Sequence, residues 1–164
     1  MNWHQGMTRG ADKMPTKNKI LIIEESQEIS SLFEKFLEDK YDVLRAGNEK
    51  EGLEALKKNH GAGEEDISVV ICDDSTINYN ANSFLETVGS EYISTIKILM
   101  LNLTPQSDAE QLRKKGLVDH YIAKPFQIAE ARKMVDAAVN AREKALNAVL
   151  QIELALSSGG KYKN

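Results

Sequence analysis

The chain has little of what small proteins use to reinforce a weak core. It has one cysteine and three prolines in 164 residues. A single thiol excludes an internal disulfide framework and fits a reducing cytoplasm. His4, His60 and His120 are scattered, and Cys72 does not pair with any of them at metal-ligand spacing, which argues against a structural zinc site. No apolar run approaches the ~20 residues of a membrane span, and the N-terminus lacks the apolar stretch of a signal peptide. Charge of one sign is also scarce. The 21 basic and 25 acidic residues leave a net −4, which gives no electrostatic footprint for nucleic acid as the main partner. What remains is 41% hydrophobic and 28% charged, the balance of a globular domain large enough to bury a real core.

Residues 1–18 are polar, weakly basic and without periodicity, and read as a disordered leader. From residue 19 the chain alternates strand and helix. An apolar strand over 19–24 precedes a helix over 26–38, whose Ile29, Leu32, Phe33, Phe36 and Leu37 lie on one face. A strand over 41–46 and a helix over 48–59 follow, then a flexible Gly-Ala-Gly loop and a strand over 67–73. Ile98 to Leu101 form the heart of a fourth strand. Ser107 and Glu110 have the spacing of a capping box opening a helix that stops near Gly116, and a fifth strand spans 119–123. Strands one, three and four are continuous apolar runs, as expected where helices cover both faces of a parallel sheet. The pattern predicts a doubly wound α/β domain over 19–141.

The last helix is too long for its sheet. No proline or glycine interrupts 127–157, so it can run roughly 45 Å, about twice what a five-stranded sheet needs. Ile128, Ala131, Val135, Ala138, Arg142, Ala145, Val149, Ile152 and Leu156 follow a heptad rhythm broken only by Arg142. Leu146, Leu150 and Leu154 add a second stripe. Residues 142–157 are therefore expected to drive homodimerisation, with Arg142 placing its guanidinium at the edge of the seam. The bland alternative is a helix folded back on its own domain.

Three apolar strands end in charged residues: Ile23 runs into Glu24-Glu25, Cys72 into Asp73-Asp74, and Ala123 into Lys124-Pro125. In open parallel sheets, ligands bind at the carboxyl ends of the strands, near the reversal of strand order. Carboxylates and an ammonium gathered there suit a divalent cation and a phosphoryl group. Asp73 closes the third apolar run and Asp74 lies one residue beyond it, so Asp73 is the expected acceptor, at a strand end and open to its donor.

These strand ends, in this order, resemble the response-regulator receiver family across roughly residues 18–140. Glu24-Glu25, Asp73, Asn102 and the phrase Tyr121-Ile122-Ala123-Lys124-Pro125-Phe126 stand at the family's motif positions. The resemblance implies a flavodoxin-like fold of strand order 2-1-3-4-5, here with an extended C-terminal helix. It implies a phosphoryl group accepted on Asp73 from a sensor histidine kinase or phosphotransfer protein. Mg²⁺ would be held by Glu24, Glu25, Asp73 and the Ser75 carbonyl, Lys124 and Asn102 would bind phosphate, and Tyr121 with Asn102 would form the switch. Output would pass to a downstream protein partner, since only helix and a short tail follow in 142–164, so the chain reads as a stand-alone regulator rather than an enzyme.

Some positions depart from the family. Glu24 and Glu25 are each a methylene longer than the commoner aspartates, which weakens the expected fit to a small octahedral ion. Asn102 replaces a hydroxyl residue, and Ile77 and Ala81 stand where Pro and Gly are common. These departures support a second reading, a phosphorylation-independent pseudo-receiver used for protein contacts. A third, an aspartyl-phosphate hydrolase, needs a second Asp two residues after the nucleophile, where this chain has Ser75.

Overall fold

The computed structural model describes residues 16–61, 66–76, 83–102, 104 and 108–159. Most of the expected leader, Ile77, Ala81, Ser107 and the last five residues lie outside them. Among the described residues, Lys17 Nζ donates to Glu38 O at 3.0 Å, and Ser68 Oγ donates to Asn18 Oδ1 at 2.7 Å. Residues 17 and 18 thus already belong to the folded body.

Among the described residues, five strands form one parallel sheet: β1 (Lys19–Ile23), β2 (Asp42–Ala46), β3 (Ile67–Asp73), β4 (Ile96–Asn102) and β5 (His120–Lys124). Their order is β2-β1-β3-β4-β5, as the resemblance implied. Helices α1 (Gln27–Leu37), α2 (Glu49–Lys58), α3 (Phe84–Glu91), α4 (Ala109–Lys114) and α5 (Ile128–Gly159) connect and cover it.

Strand alternation divides the core into two layers. Ile20 and Ile22 of β1 pack with Phe33 of α1 and Ala131, Val135 and Ala138 of α5. Leu21 and Ile23 point the other way, among Leu56 of α2 and Phe84, Leu85 and Val88 of α3. All seven residues of β3 are buried, so this central strand is covered on both faces, and its Val69-Val70-Ile71-Cys72 core is an unbroken apolar run. Among the described residues, no helix is long and apolar enough to cross a membrane.

Gly52 lets α2 sit close on β1. A Cβ at that position would lie 2.5 Å from Ile23 Cδ1 and 3.3 Å from the Phe84 ring. Alanine gains about 1 kcal/mol of helix propensity over glycine, but forcing a methyl into a filled core costs about 1–3 kcal/mol. Gly52→Ala is therefore expected to lower stability despite its better propensity, as a reduced urea midpoint with an unchanged slope. Unchanged stability would mean that the Ile23 side chain rotates aside freely.

Helix α5 meets the sheet over its first half only. Its buried residues end at Arg142, whose Nε donates to Ser94 O at 3.0 Å and whose Nη2 reaches Ser94 Oγ at 3.4 Å. The expected edge position for this guanidinium is corrected: Arg142 is 5% exposed and clasps the turn before β4. Burial pulls its pKa below the usual arginine range. Asn18 Nδ2 donates to Glu143 Oε1 at 2.8 Å, one residue further along α5. From Ala145 onward the helix is exposed throughout.

The helix start expected from Ser107 falls differently. The position before Ala109 is Asp108, which makes no side-chain cap bond, and Glu110 pairs with Arg113 at 2.7 Å. Gly116 closes that helix with φ +74°, a conformation glycine adopts without strain.

Candidate functional site

Parallel register brings the charged strand ends together. Ile23 lies opposite Cys72, so Glu24 emerges beside Asp73, at the point where the chain order of the sheet reverses. Asp73 lies opposite Met100, and Asn102 opposite Lys124, so the Lys124 side chain must reach back over β4 to meet the acid. It does: Lys124 Nζ is bonded to Asp73 Oδ1 and lies 3.9 Å from Asp74 Oδ1. A cavity of about 420 Å³ is lined by Glu24, Glu25, Ser26, Ile29, Asp73, Ser75 and Lys124.

Asp73 stands at its strand end, but it is not open to solvent as the sequence led us to expect. Its side chain is 2% exposed. Lys124 covers Oδ1, while the Ser75 hydroxyl and backbone N–H both donate to Oδ2, the latter at 3.0 Å. The turn 74–76 folds Ser75 back onto the carboxylate, which a reading of strand ends does not reveal. Asp74 remains more exposed, at 26%; burial, with Asp73 adding to it, raises its pKa above the usual aspartate range.

Glu24 has two roles. Its Oε1 accepts from Ser26 N at 2.8 Å, while Ser26 Oγ accepts from Ile29 N at 3.4 Å, so the acid braces the capped start of α1. Its Oε2 is buried without a hydrogen-bond partner among the described residues. Burial raises the Glu24 pKa, the Ser26 N–H works against the shift, and the neighbouring Asp73 adds to it. Glu25 is exposed, and its backbone N–H donates to Thr76 Oγ1 at 3.3 Å, joining the β1–α1 turn to the segment after β3.

A raised carboxyl pKa in the folded state means that ionised Glu24 weighs against folding. Its neutral form contributes stability that is fully present below about pH 4.5, the ordinary value, and is lost as pH rises through the raised one. Glu24→Gln removes that charge and keeps an oxygen for Ser26. The variant is expected to be more stable than the parent at pH 7, with the gap closing below pH 4.5, in parallel denaturant titrations. A gap that does not change with pH would place the effect elsewhere.

Not every expected residue joins the cavity. Asn102 ends β4 with its side chain exposed and does not line the cavity. Tyr121 is half-buried and packs against the α2–α3 layer of the core. The carboxylates also fall short of a metal cage. The orphaned Glu24 oxygen is a suitable donor, but Asp73 is engaged on both oxygens and Glu25 is exposed. No three acidic, histidine or cysteine side chains gather closely enough to hold a metal ion among the described residues. As arranged, these residues do not fit the octahedral Mg²⁺ that the resemblance implied.

No family model and no curated protein sequence matches the chain. Solved structures match it closely in shape. A response-regulator receiver domain protein from Clostridium thermocellum is 26% identical, with TM-score 0.65 over 79% of this chain and 98% of that one. A CheY-like receiver domain protein from Methanospirillum hungatei JF-1 is 19% identical, with TM-score 0.65 over 79% and 99%. A structure described as adenylate cyclase from Rhodopirellula baltica is 14% identical, with TM-score 0.68 over 84% and 98%. The similar structures are mostly receiver domains, and the chain shares their fold.

Proposed function

We propose that this divergent receiver-type domain accepts a phosphoryl group on Asp73 in two-component signalling and passes the signal on through protein contacts. The observation that carries the reading is the Lys124–Asp73 pair at the carboxyl edge of the sheet, beside an open cavity walled by Glu24 and Glu25. A carboxylate oxygen attacking phosphorus needs its charge held in place and the incoming phosphoryl oxygens neutralised. Lys124 is a compact, mobile cation suited to both tasks in turn. The Ser75 hydroxyl, now on Oδ2, must let go for that oxygen to react. The phosphoryl donor would be a sensor kinase or phosphotransfer protein, and Tyr121 with Asn102 would form the switch that carries the change to the surface. Intact mass after incubation with acetyl phosphate and Mg²⁺ tests the reading.

Two observations favour a second reading. Both Asp73 oxygens are engaged, and Asn102 stands outside the cavity, which suits a pseudo-receiver that works without phosphorylation. The same measurement decides between the two, because a pseudo-receiver keeps its mass.

A further inference from the structure

We infer that the distal half of α5 pairs with a second copy of this chain, and that the two helices run antiparallel. Helix α5 starts beside the site and leaves the domain at its opposite edge, marked by the Arg142–Ser94 and Asn18–Glu143 bonds. The sixteen residues that follow, to Gly159, extend about 24 Å beyond that edge. At 100° per residue, Ala145, Val149, Ile152 and Leu156 fall within about 80° of the Arg142 direction. They continue the stripe that faces the sheet higher up, so they overlook the space beneath their own domain.

That placement selects the direction of the partner. A parallel helix laid on this stripe would place its own first half in the volume already filled by the sheet. An antiparallel helix enters from below and has free room. The stripe is also palindromic, with spacings of 4, 3 and 4 residues, so it reads the same from either end. Antiparallel pairing sets Ala145 against Leu156 of the second copy and Val149 against Ile152, small against large, which fills the seam evenly. Ala148 and Ala155 flank it and let the backbones approach. Leu156, 75% exposed, gains cover, and the tip of the second helix reaches the height of Ile93, which is 84% exposed beside Ser94.

The inference does not depend on phosphoryl chemistry, so the unmodified full chain tests it. It is expected to sediment as a dimer at tens of micromolar, and Val149→Asp with Ile152→Asp is expected to halve the mass while leaving the sheet signal in circular dichroism intact. Spin labels on cysteines placed singly at the exposed Asn140 and Gln151 give the direction, since native Cys72 is fully buried. Antiparallel pairing centred between residues 150 and 151 separates the labels at 140 by more than about 30 Å and brings those at 151 to roughly 10–20 Å. Similar separations at both positions, a monomeric parent, or an assembly larger than two would each overturn the proposal.

Discussion

Incubated with acetyl phosphate and Mg²⁺, the parent chain is expected to gain one phosphoryl mass, and Asp73→Asn none. The effect is all or nothing because an amide oxygen is a poor nucleophile towards phosphorus and no neighbouring acid takes over the geometry. Asp74 is the nearest rival, with its Oδ1 3.9 Å from the same ammonium, but it sits past the strand end. Glu24 is buried and spends one oxygen on Ser26. The variant should still fold, since asparagine keeps the shape and Asp74 remains near Lys124. A circular dichroism spectrum matching the parent separates lost chemistry from lost structure. If the parent gains no mass with this donor or with any kinase offered, the phosphoacceptor reading is wrong. Equal labelling of Asp73→Asn would move the acceptor elsewhere.

Phe33→Ala is expected to give the largest loss of stability of any change considered, and to reach the site as well. Phe33 is fully buried, with its ring centroid 4.9 Å from Phe36 and 5.3 Å from Phe126. Removing a buried phenyl group costs about 3–5 kcal/mol, from lost transfer energy and the cavity left behind. For a domain of this size that lowers Tm by roughly 6–20 °C. Phe126 lies two residues after Lys124, so losing its aromatic support loosens the end of β5 that positions the ammonium. Phosphoryl uptake should therefore slow even at temperatures where the variant is folded. Thermal melts and the mass assay at 15 °C check the two effects. Normal uptake in a destabilised protein would confine the aromatic cluster to a packing role.

What could be read from the residues follows a physical divide. Continuous apolar runs fix buried parallel strands, because an exposed segment of a globular domain does not tolerate Val69-Val70-Ile71-Cys72. Those runs end where the sheet ends, so the charged residues after them had to share one edge, and Glu24, Asp73 and Lys124 do. Contacts made by turns were invisible. Ser75 caps Asp73 only because the turn after β3 curls back, and periodicity carries no trace of that. Arg142 looks like a flaw in a heptad, whereas its partner is a carbonyl 48 positions away in sequence. A capping signal for α3 is legible as well. Ser83 and Glu86 have the same spacing as Ser107 and Glu110, and here the Ser83 oxygen does accept from the Glu86 N–H to open the helix.

The single helix from Ile128 to Gly159 also gives the domain a stiff arm, anchored over its first half and free over its second. Its anchored half starts beside the acidic cavity and ends at the Arg142 clasp, and its free half reaches about 24 Å further. Any tilt at the clasp is magnified along that length: roughly 5° displaces the tip by about 2 Å, enough to pull a pair of touching side chains out of van der Waals contact. A bend at the clasp, where the buried half of the helix ends, would thus leave the core in place and be felt at the far pole, where a neighbouring chain would register it as a gain or loss of grip.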